Sequence, residues 1–231
     1  MFIEVGDYCV YLRVSRNFKK NRMQNEIPDI VYIFPSFFPE EIINNELEII
    51  QNSNLKIRTH KSEENSIYNA FEWIIPTAFG VYILKPYFEG FLSEAGKDHY
   101  TLLKKFVNNF LEKGKEYNFS VIAAKESPDK LSKNYNKSFT ISLEIQTKNN
   151  RVIKVLFDNS LSIEEWKKSS DEILNIFQEH YENFPNDKLT TMIQNFDDKP
   201  HRKLYITVDK IPQNYLLRDD TGMMLEFKNI K

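Results

Sequence analysis

The stretch FTISLEIQTKNNRVIKVLF, Phe139 to Phe157, constrains this chain more than any other segment. Phe139, Ile141, Leu143 and Ile145 alternate with Thr140, Ser142, Glu144 and Gln146, the period of two that sends successive side chains to opposite faces of a strand. That alternation predicts a half-solvated strand over Phe139–Thr147. Lys148, Asn149 and Asn150 supply a turn, asparagine being the non-glycine residue that best tolerates positive φ, and Val152–Phe157 returns as the second strand. A helix follows over 163–182: Ser162 can cap it, Glu165 completes a capping box, and Leu161 can staple onto Trp166. Trp166, Ile173, Phe177 and Tyr181 give that helix its buried face. A short helix over Lys188–Gln194 and strands at Leu204–Val208, Tyr215–Leu217 and Met223–Phe227 close the chain.

The N-terminal half is more mixed. Phe2–Val5, Tyr8–Val14 and Ile30–Phe34 read as strands, and Pro39, Glu40 and Glu41 suit the first turn of a helix, where acids meet the positive end of the dipole. Leu55–Thr59 returns as a strand, so residues 30–59 read as a strand, helix, strand crossover whose two strands lie parallel if they share a sheet. A helix is expected to resume at Ala78, with Pro86 starting or kinking the main rod. From Tyr87 to Leu111 the apolar positions recur every three or four residues, one buried stripe that includes His99. Lys113 and Gly114 read as the end of that helix. Another strand is expected over Tyr117–Ala124. The fold class is therefore α+β: mixed N-terminal strands with a crossover helix, a long central helix, and a C-terminal antiparallel sheet packed on one face by helices. The chain divides most naturally into residues 1–114 and 115–231, with one continuous domain as the alternative.

Composition narrows the function. With 31 basic and 33 acidic residues, no global field marks a nucleic-acid or membrane-surface binder. The single cysteine, Cys9, has no intramolecular partner and sits in an apolar run, which favours a reducing compartment and so the cytoplasm. No basic-then-apolar leader opens the sequence. Trp73–Leu84 is the most apolar run, but its twelve uncharged residues fall short of the roughly 20 needed to span a bilayer. The six glycines never cluster as a phosphate-binding loop requires.

Four groups of residues carry the functional expectations. Glu94, Asp98 and His99 are dense in sequence around Gly96, yet on a regular helix His99 joins the buried stripe while Glu94 and Asp98 splay away. His201 lies near Asp197 and Asp198 in what reads as a solvated turn. The histidines are far apart in sequence and no cysteine pair exists, so neither a metal nor a cofactor is expected. Arg13, Arg16, Lys19, Lys20 and Arg22 surround Phe18, a combination suited to gripping an anion and stacking a base. Between Trp73 and Phe91, Phe79, Tyr82, Ile83, Tyr87, Phe88 and Phe91 cover more than one side of the expected helix, which demands either burial or a partner. The expectation is a non-catalytic interaction or regulatory protein that associates with itself or another protein through this hydrophobic helical region. Its alternatives are a hydrolase-like enzyme assembled from His99, Asp98, Glu94 and His201, and a weak nucleic-acid-binding module using the Arg13–Arg22 patch.

Overall fold

The computed structural model describes residues 3–5, 8–10, 27–36, 40–51, 55–62, 79–91, 96–116, 138, 141–196, 204–208, 215–219 and 221–223. Strands β1 (Ile3–Val5) and β2 (Tyr8–Val10) form a small antiparallel pair. The other seven build one sheet: β3 (Ile30–Pro35), β4 (Ile57–Ser62), β5 (Phe79–Ile83), β6 (Ile141–Gln146), β7 (Val152–Phe157), β8 (Leu204–Val208) and β9 (Leu216–Asp219). Among the described residues five helices accompany them: α1 (Glu40–Gln51), α2 (Lys85–Phe91), α3 (Gly96–Glu116), α4 (Ile163–Asn183) and α5 (Lys188–Gln194). The class is α+β.

Across the sheet the order is β4-β3-β5-β6-β7-β8-β9. The pairs β3/β4, β5/β6 and β7/β8 are parallel, each bridged by a helical crossover, and the pairs join antiparallel to one another. The expected C-terminal antiparallel sheet is thus part of a larger mixed one, and β5 pairs with β6 across the division expected at residue 114. A parallel neighbour requires a long crossover, and the helices on these crossovers are α1 for β3/β4, α2 and α3 for β5/β6, and α4 and α5 for β7/β8.

All of the apolar strand residues that pack under helices lie on one face. Ile30, Tyr32, Phe79, Val81, Ile83, Leu143, Ile145, Ile153, Val155, Leu204 and Ile206 are buried in one cluster with Ile43 and Leu47 of α1, Phe106 and Phe110 of α3, and Ile173 and Phe177 of α4. Tyr32 meets Phe106 and Phe110 edge-on at 5.7 and 5.8 Å, and Phe88 stacks on Tyr181 at 4.5 Å, the offset and T-shaped arrangements that ring quadrupoles favour. Strands β3 and β7 run in the same direction, yet the chain leaves β3 toward one edge and β7 toward the other. With α1 and α4 on one face, these two crossovers have opposite hands, against the usual right-handed preference.

Local signals place α4 as expected. Ser162 accepts the Glu165 amide, the Glu165 carboxylate accepts the Ser162 amide, and Asn150 takes φ 65 in the hairpin turn. Elsewhere the sequence reading is corrected. Residues 79–83 are a strand and not a helix. They lie inside the sheet between β3 and β6, and a short run that is apolar throughout cannot be told from helix by periodicity alone. The rod expected from Tyr87 to Leu111 is two helices, α2 and α3, with 92–95 outside the described residues. The helix end expected at Gly114 comes two residues later. Thr221–Met223 form a helical turn, and the rest of the strand expected at Met223–Phe227 lies outside the described residues, as does the strand expected at Tyr117–Ala124. Among the described residues no helix is long and apolar enough to cross a membrane.

Candidate functional site

The second face of the sheet differs in kind from the first. Register partners link one residue from every strand into a row: Arg58, Val31, Tyr82, Glu144, Lys154, Tyr205 and Arg218. Each alternates with a residue of the apolar cluster, so these positions face away from the helices. At the centre, Lys154 Nζ lies 3.9 Å from Glu144 Oε1, with the two side chains 6% and 2% exposed. Ser142 Oγ lies 3.5 Å from the same carboxylate oxygen, at the long limit of a hydrogen bond. The expectation that Ser142 and Glu144 are solvated is therefore wrong. Both are sealed, and two charges removed from water need each other and further polar partners. On the same face, Thr207 is fully buried and its hydroxyl has no hydrogen-bond partner.

The margins of this row are more open. Arg58 is exposed at the β4 edge, and Tyr82, Tyr205 and Arg218 are half-buried. Beside Thr207 in the register lies Leu216, which is 46% exposed in the edge strand β9. A signal for the central pair was present in the sequence. Once the turn at 148–150 is placed, Glu144 and Lys154 must face one another, an acid opposite a base; what the alternation could not show was that the face would be covered.

One other cluster has the composition of a catalytic dyad. His180 Nδ1 is 2.9 Å from Asp187 Oδ1, and both side chains are inaccessible. The Asp187 carboxylate also accepts the Thr190 amide at 2.8 Å and the Thr190 hydroxyl at 2.6 Å. Burial pushes the Asp187 carboxyl up, but the Thr190 hydroxyl and amide and the His180 ring together outweigh burial and hold it below its ordinary value. On the far side of the ring, Nε2 accepts the Lys148 amide at 3.1 Å. Both ring nitrogens are thus occupied by hydrogen bonds within the fold.

The structure disperses the sequence candidates. Phe79, Ile83, Tyr87 and Phe88 are inside the protein's own core, with Phe79 and Ile83 on β5 and Tyr87 and Phe88 on α2. They offer no outer surface, which corrects the picture of an apolar helix awaiting a partner. Tyr82 alone of the group faces the second side of the sheet; Phe91 ends α2, and its side chain is outside the described set. His99 is only half-buried near the start of α3, and Asp98 falls in the first turn of that helix with its side chain undescribed. Glu94 and His201 lie outside the described residues, as do Arg13, Arg16, Phe18, Lys19, Lys20 and Arg22. Among the described residues, no three His, Cys, Asp or Glu side chains come together as a metal site would require. No protein-family model matches the chain, and no curated protein or solved structure matches it either.

Proposed function

We propose that this is a non-catalytic binding protein whose docking surface is the β8–β9 margin of the second sheet face, and that its partner is another protein or a second copy of itself. The observation that carries the reading is Leu216, a large apolar side chain left 46% exposed on β9, which is an edge of the sheet among the described residues. An edge presents unpaired backbone groups, and proteins commonly blunt it with charge. The opposite edge follows that practice, since β4 carries Arg58 and Lys61, both exposed. Strand β9 instead sets Leu216 beside half-buried Tyr205 and Arg218, and tyrosine and arginine are the residue types that most often anchor protein interfaces.

The test combines concentration-dependent light scattering with cross-linking of the complex recovered from cells. The reading expects cross-links on Tyr205 and residues 215–219, and Leu216→Arg should weaken the complex by about tenfold or more without lowering the unfolding temperature. Contacts on other surfaces, or a Leu216→Arg complex as tight as the wild type, overturn it.

A further inference from the structure

His180 joins three separate parts of the fold through one ring. It sits near the end of α4, binds the α5 cap through Asp187, and binds the β6–β7 turn through the Lys148 amide. The tautomer follows from the partners. A backbone N–H can only donate, so Nε2 must be the unprotonated nitrogen and the ring proton sits on Nδ1, directed at Asp187. The ring is further enclosed by Tyr181 and Phe184, edge-on at 5.5 and 5.4 Å.

We propose that His180 is an acid-released catch, in which a proton taken from solvent by Nε2 expels the Lys148 amide and removes one of the bonds that hold the β6–β7 turn to α4. Protonation and the amide bond exclude each other, because a protonated Nε2 sets a donor against a donor. The charged groups facing the ring on its two sides have opposed effects. Asp187, from the α5 cap, attracts a charged ring and keeps its Nδ1 bond in either state. Lys148, from the turn, repels it; the Lys148 ammonium is bound to the Tyr181 carbonyl at 3.1 Å and lies 5.8 Å from the Phe184 ring. Thr190 stays with Asp187 throughout, its hydroxyl 3.2 Å from Nδ1. The catch therefore gives up the Lys148 amide alone: the α4–α5 contact stays closed, and the Lys148 ammonium on the Tyr181 carbonyl and the Tyr181 hydroxyl on the Gln146 carbonyl still tether the turn.

Nitrogen-15 NMR of the intact wild-type chain tests this without a variant. Imidazole nitrogen shifts and Lys148 amide exchange are followed from about pH 8 to about pH 4, with the half-buried His60 and His99 as references in the same spectra. At neutral pH the His180 Nε2 should be unprotonated. As it gains a proton, Lys148 amide protection, corrected for intrinsic exchange, should fall by about tenfold or more while β7 and β8 amides keep theirs. Three results overturn the proposal: an Nε2 already protonated at neutral pH, Lys148 protection unchanged as the ring protonates, or a ring that stays neutral until the whole fold is lost.

Discussion

The two faces of the sheet differ in what the strands bury on them. Under the helices, aliphatic and aromatic residues from the seven strands meet five helices in one apolar cluster. On the other side the same strands bury Ser142, Glu144, Lys154 and Thr207. Apolar burial is favourable and non-directional, so the first face tolerates many arrangements of about the right volume. A buried acid opposite a buried base is unforgiving: sliding β6 by one residue against β7 moves Glu144 into the apolar layer and strands Lys154. Both faces oppose such a slip, which would also carry Leu143 and Ile145 out of the apolar cluster, and the buried ion pair adds its own penalty.

The largest effect should come from the apolar side. Phe177→Ala removes a fully buried ring that stacks near Phe88 and should cost about 3–5 kcal/mol in urea unfolding. Next, Glu144→Gln leaves the Lys154 charge sealed without its counterpart and should cost about 3 kcal/mol, whereas Glu144→Met with Lys154→Met should return to within about 1 kcal/mol of wild type. If the single change proves as mild as a surface ion-pair mutation, the second face is wet and the contrast between the faces fails.

A smaller effect probes the α4–α5 corner. Asp187→Asn should cost about 1 kcal/mol at neutral pH, and the pH dependence has a definite sign. Because the folded carboxyl titrates below its ordinary value of 3.8, its contribution is complete above that value and is lost as pH falls through the lower folded one. The stability gap between wild type and Asp187→Asn should therefore close in acid. A gap constant across that range would mean that the carboxylate charge contributes nothing. The smallest effect belongs to the margin: Leu216→Arg should change monomer stability by no more than about 0.5 kcal/mol, which separates a docking residue from a packing one.

The sequence alone determined the elements whose code is local. The β6–β7 hairpin, the Ser162–Glu165 box that starts α4, helix α5 at Lys188–Gln194 and strand β8 at Leu204–Val208 stand where reading predicts them, because alternation, turn residues and caps act between neighbours a few positions apart. Phe79–Ile83 reads as helix for the complementary reason: a short strand inside a sheet that is apolar throughout carries no period that distinguishes it from helix. Only the tertiary structure decided that β5 joins β6 across the expected division, that α1, α3 and α4 share one face, and that Glu144 and Lys154 are sealed in while Leu216 is left out. Those outcomes depend on which distant segment covers which face, and burial energy summed over the whole sheet, not any neighbouring pair of residues, makes that choice.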